Sequence, residues 1–105
     1  MRNEIWSVTA SGYASKPRPA LIVQSDKVSN IDSVIICLIT SYHNPNAPFR
    51  VEIVPSKENG LKQLSYAMVD KLVTINKENL GHRIGNLERD TVAKVDNTLR
   101  QILSL

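Results

Sequence analysis

One cysteine, one tryptophan, one phenylalanine and four glycines stand among 105 residues, and each scarcity narrows what the chain can be. A lone thiol builds no intrachain disulfide framework. Cys37 lies inside an apolar run, so it is expected to pack as a small hydrophobe, and the chain to work in a reducing compartment. Five aromatics in all leave Val, Ile and Leu to fill the core. The two histidines, His43 and His82, are far apart in sequence, and no His or Cys cluster has metal-ligand spacing. There is no phosphate loop and no glycine-rich dinucleotide fingerprint. No metal and no cofactor is therefore expected. The longest apolar run, Val34 to Ile39, is far too short to span a bilayer, and no stretch of signal-peptide length follows Met1. A cytoplasmic location is expected.

What is present suits an ordinary globular chain. With 42% hydrophobic and 22% charged residues it can bury a core. No composition shift or long Gly/Ser/Pro tract divides it, so a single domain over residues 1–105 is expected. Thirteen Lys and Arg against ten Asp and Glu give a net charge of +3 and a pI near 9.2. That balance is compatible with nucleic acid without singling it out.

Hydrophobic periodicity gives a coarse order of elements. Glu4 to Thr9 alternates as a first strand, with Trp6 and Val8 on one face and Ile5 and Ser7 on the other. Ala10 to Ser15 is a small-residue loop placed to act as a flap or as a plain hairpin connection. Ala20 to Val23 and Val34 to Ile39 read as buried strands, the second covered on both faces with Thr40 and Ser41 at its rim. After a proline- and asparagine-rich loop, Phe49, Val51 and Ile53 alternate inward against Arg50 and Glu52, and Pro55 stops that strand. Asn59-Gly60 supplies a turn with positive φ. A further strand runs from Ser65 to Ile75, a helical turn closed by Gly81 follows, and His82 to Gly85 forms a short strand or turn. From Arg89 onward, Val92, Val95, Leu99, Ile102 and Leu103 recur every three or four residues, which makes one apolar stripe on a terminal helix. Closely spaced strands with no helices between them predict a mainly β fold, an antiparallel sheet curled into a small barrel with a C-terminal helix.

Chemistry is concentrated at strand ends. In Lys16-Pro17-Arg18-Pro19 each proline fixes its own φ and pushes the preceding residue into an extended conformation, so Arg18 projects from the sheet rim with little backbone freedom. A placed cation and an ordinary surface arginine after a turn fit these residues equally well.

Glu4-Ile5-Trp6, Arg18-Pro19-Ala20-Leu21-Ile22-Val23-Gln24, Leu38-Ile39-Thr40-Ser41, Glu58-Asn59-Gly60-Leu61, Asp70 with Thr74-Ile75, Ile84-Gly85-Asn86-Leu87 and Val95-Asp96 with Leu99 together resemble the MazF/PemK family of toxin endoribonucleases. The likeness runs almost end to end. It implies an SH3-like barrel that forms a homodimer, cuts single-stranded RNA without a metal, and is held inactive by a cognate antitoxin. By matching positions, Arg18 and Thr40 resemble the catalytic pair. Asp70 matches an acidic position used in some relatives as a base, and His43 is a second base candidate because an imidazole titrates near neutrality. Lys16, Ser41, Tyr42, His43 and Arg50 are the expected RNA contacts, since cations and aromatic faces hold single strands. The sequence departs from the family at Val73, where an arginine is common, and in the short loop before Arg18. The rival reading is a CcdB-like poison that binds gyrase and cleaves nothing. Those toxins typically end in Trp-Gly-Ile, whereas this chain ends Ile102-Leu103-Ser104-Leu105.

Overall fold

In a computed structural model, described here for residues 1–9 and 16–105, six strands and one helix follow in the order β1 (Glu4–Val8), β2 (Arg18–Ile22), β3 (Ser33–Thr40), β4 (Arg50–Ile53), β5 (Ser65–Asn76), β6 (Leu80–Asn86) and α1 (Arg89–Leu103). The Ala10 to Ser15 loop lies outside the described residues. All six strands belong to one sheet of order β4-β5-β3-β2-β1-β6, and every pairing is antiparallel.

The sheet is apolar on both sides, which follows from alternation along its strands. Ile5, Leu21, Cys37, Ile39, Ala67 and Val69 lie in one cluster, on which α1 lays Val92, Val95, Leu99 and Ile102. Their neighbours Val8, Ala20, Ile22, Val34, Ile36 and Leu38 form a second cluster on the other face, joined at its margin by Trp6 and Met68. β3 serves both clusters, and this is why it carries no polar residue between Ser33 and Thr40. Ile35 departs from the expected burial on both faces. It is 38% exposed, because it stands beside the last turns of α1, where it lines an apolar groove with Leu72, Leu99 and Leu103.

The expected barrel is present as a curled sheet that strand pairing does not close. The edge strands β4 and β6 do not pair with each other. The segment between β4 and β5 bridges them instead, with Asn86 N–H donating to the Glu58 carbonyl at 2.8 Å. Gly60 turns there at φ 71°, the positive value expected of it. Gly85 is required for a different reason: a methyl group on it would overlap the backbone of Glu58 and Asn59. Curling is helped by an irregularity in β5, where four residues, Met68 to Lys71, stand against the single β3 residue Leu38.

Two local expectations are corrected. Phe49 precedes β4 rather than joining its inward row, and is 38% exposed. Gly81 continues β6 instead of closing the helical turn, which is a three-residue 3-10 helix, Lys77–Asn79, with no side-chain cap from Asn76. Helix α1 starts after Glu88, which does not cap it by a side-chain bond. The Glu88 carboxylate instead accepts from Ser56 Oγ and from Asn59 Nδ2. No helix of the described residues is long and apolar enough to cross a membrane.

Candidate active site

One end of the sheet collects several of the candidate side chains. Val8 pairs with Arg18, and Thr40 pairs with Tyr66, which pairs in turn with Glu52. The β2–β3 ladder matches Ala20 to Leu38 and Leu21 to Cys37. Continued by two residues, that register sets Arg18 beside Thr40, on one face of the sheet and one strand spacing apart, about 5 Å. The ladder itself ends at Ala20 and Leu38, so the register brings this exposed cation and strand-end hydroxyl to the same end of the sheet although 22 positions separate them in the chain.

Thr40 is further defined by the turn that follows it. Its Oγ1 accepts the Tyr42 N–H at 3.1 Å, which leaves its hydroxyl proton free to donate. Ser41 is exposed beside it, and the Tyr42 ring is 70% exposed. His43 folds back over the sheet, its ring centroid 5.1 Å from that of Tyr66 at a tilt of 45°. Tyr66 is the pairing partner of Thr40, so His43 is brought to the same rim. Lys16 is exposed two residues before Arg18.

Asp70 and Arg50 are brought together with each other. Arg50 Nε donates to Asp70 Oδ1 at 3.1 Å, and the arginine side chain is only 12% exposed. The carboxylate thus has a dedicated cation, and the arginine is held by it. Cys37 lies deep in the sheet, where burial first and the Asp70 charge second push its thiol up to about 12. A thiolate nucleophile is therefore excluded at working pH.

A groove of about 590 Å³ opens on the other side of Arg18, walled by Ser7, Leu61, Lys62, His82, Arg83 and Ile84 among others. The sequence alone did not connect His82 to this site. Ser7 and His82 are 75 positions apart, and only the β1–β6 pairing joins them. The alternation of β1 put Ser7 on the same face as Ile5, and a hydroxyl buried there needs a partner; that was the one available signal.

A family model described as PemK-like, MazF-like toxin of type II toxin-antitoxin system matches residues 1–103. The chain belongs to this toxin family. Among its relatives is a probable endoribonuclease MazF of Mycolicibacterium smegmatis, 32% identical over 99% of this chain and 96% of that one. The Mycobacterium tuberculosis toxin MazF-mt6 superposes with a TM-score of 0.80 at 25% identity, covering 97% of each chain. A mycobacterial endoribonuclease solved in complex with its cognate antitoxin has the same fold, with a TM-score of 0.79 at 24% identity over 100% of this chain and 93% of that one. The Arg18 and Thr40 rim thus lies on a MazF-like scaffold.

Proposed function

We propose that this toxin is a cytoplasmic endoribonuclease that cuts single-stranded RNA without a metal, the substrate's own 2′-hydroxyl attacking the adjacent phosphate. The reading is supported by the β2–β3 register, Ala20 against Leu38, which carried on by two residues would bring Arg18 to Thr40 at one rim of the sheet. In such a reaction negative charge grows on the non-bridging phosphate oxygens, and donors fixed in advance stabilise it. Arg18 supplies charge and a fork of N–H donors, and the Thr40 hydroxyl adds a neutral donor that orients the phosphate. Lys16, Ser41, Tyr42 and His43 lie along the same edge, where an exposed tyrosine offers a stacking face and the lysine offers charge to the backbone. The ion pair with Asp70 suits Arg50 to a fixed contact at the margin of the RNA path, and it suits Asp70 to holding that arginine rather than to abstracting a proton.

A cognate antitoxin is the partner expected of a member of this family. A second copy of the chain would cover exposed apolar residues such as Ile35, Leu103 and Leu105. The gyrase-poison alternative finds no support among the relatives, which are named endoribonucleases.

Cleavage of a long single-stranded RNA in EDTA, beside a DNA strand of the same sequence, tests the reading. RNA alone should be cut, and Arg18→Ala should lower the rate by roughly 10²–10³, the usual loss for one charge-stabilising donor. An intact toxicity in cells with no RNA cut in vitro would transfer the proposal to the binding-poison class.

A further inference from the structure

We infer that His82, held by Ser7, is the base that takes the 2′-hydroxyl proton; the inference rests on the endoribonuclease reading above. Ser7 is only 5% exposed, and its hydroxyl is committed to one residue. Ser7 Oγ accepts the backbone N–H of His82 at 3.0 Å and lies 3.1 Å from its Nδ1. Space for that hydroxyl exists because residue 81 is glycine: a methyl group there would overlap Ser7 Oγ. A serine hydroxyl has two lone pairs and one proton, so it receives the backbone N–H and pairs with Nδ1 as acceptor or donor according to the ring's tautomer. With Nδ1–H directed at Ser7, Nε2 keeps its lone pair, and among the described residues it makes no hydrogen bond. Protonation of Nε2 leaves the Ser7 contact unchanged, so the ring need not turn during the reaction.

The surroundings fit a proton acceptor beside a bound phosphodiester. His82 shares its groove with Arg18 of β2, Lys62 of the β4–β5 segment and Arg83 of its own strand. Glu4 of β1 is engaged by Arg83 at 3.6 Å and by the Trp6 indole. Three cations from three elements thus attract the RNA backbone to the wall that carries the imidazole. Asp70, by contrast, is occupied by Arg50. The step balances as follows. The O2′–H bond breaks and its proton passes to Nε2; O2′ bonds to phosphorus; the P–O5′ bond breaks, and O5′ takes a proton from water. The products are a 2′,3′-cyclic phosphate and a 5′-hydroxyl, and His82 returns its proton to water.

The test is a single-turnover pH–rate profile on an unstructured RNA transcript in EDTA, from about pH 5 to pH 9, for the wild-type chain, His82→Asn and His82→Ala. Asparagine keeps an amide for Ser7 but has no atom at Nε2 and does not titrate. The wild-type rate should rise with pH as the base loses its proton. His82→Asn should be slower by roughly 10²–10⁴ and lose that rise, while its affinity for the same RNA carrying 2′-O-methyl groups stays within about threefold. Imidazole added to His82→Ala should restore part of the rate. A His82→Asn chain that cuts within threefold of wild type overturns the inference, as does a slow one that keeps the wild-type pH dependence. A wild-type chain that cuts no RNA overturns the endoribonuclease reading itself, and the two failures are told apart by that single lane.

Discussion

Replacement of Asn59 should unfasten the segment that bridges the two open edges of the sheet. Asn59 is fully buried, and its amide has four partners. Oδ1 accepts the N–H groups of Ser56 at 3.1 Å and Leu61 at 3.0 Å, while Nδ2 donates to the Val54 carbonyl at 2.8 Å and to Glu88 at 3.1 Å. At about 1 kcal/mol net for each bond, Asn59→Ala forfeits about 4 kcal/mol, less what water returns to the half-buried loop groups, so about 3 kcal/mol is expected. Urea unfolding should show the midpoint falling with the slope unchanged. Asn59→Asp separates the charge contribution from the packing one. It keeps the acceptor but sets a second anion against Glu88. In the parent chain, burial pushes the Glu88 carboxyl up, but hydrogen bonds from Ser56 and Asn59 outweigh it and hold it below its ordinary 4.5. Because that folded value is lowered, Glu88 contributes stability above pH 4.5, and the contribution is lost as pH falls through the lower folded value. In Asn59→Asp the sign reverses: repulsion raises the pair, so the deficit at about pH 7 should shrink as the pH approaches about 4. A loss under about 1 kcal/mol in Asn59→Ala, or a deficit in Asn59→Asp that ignores pH, would refute this account of the bridge.

Substitutions elsewhere in the sheet and helix have equally definite outcomes. Cys37, with its thiol near 12, should resist a thiol-specific reagent at neutral pH in the folded chain and react at once in denaturant, as a stopped labelling assay would record. Leu99→Ala, which removes a buried contact between α1 and the sheet, should cost about 2–5 kcal/mol by denaturant titration. Asp70→Asn should leave RNA cleavage within about tenfold of the parent, since its carboxylate acts through Arg50; a loss of 10² or more would restore it as the base. A double-mutant cycle on Arg50 and Asp70 should return a coupling of about 1 kcal/mol in stability, as for other partly exposed pairs.

Much of the fold was legible because hydrophobic period is a local property. Alternation gave the faces of β1 correctly, with Ile5 and Val8 in opposite clusters, and the three- and four-residue spacing gave α1 with its inward Val95 and Leu99. Phe49 and Ile35 misled for one reason: an apolar residue in a strand-like pattern signals a face, while whether that face is covered depends on where the helix and the crossing loop end. Glu88 lacks the short side chain of a good cap, a local feature, but its bonds to Ser56 and Asn59 span about 30 positions and leave no local trace.

The candidate site divides in the same way. Sequence by itself determined that Arg18 enters its strand stiffly between two prolines, that Thr40 ends an apolar strand, and that a family likeness links the two. Only the tertiary structure decided their neighbourhood, because strand register sums contacts over whole ladders and one slip would turn every side chain to the other face. It also decided that Asp70 meets Arg50, since the irregular stretch of β5 falls just there. The approach of Ser7 to His82 is the clearest case. Each residue is unremarkable in its own segment, and they meet because the first and last strands pair, a contact whose chain entropy is met by the whole sheet and not by either residue.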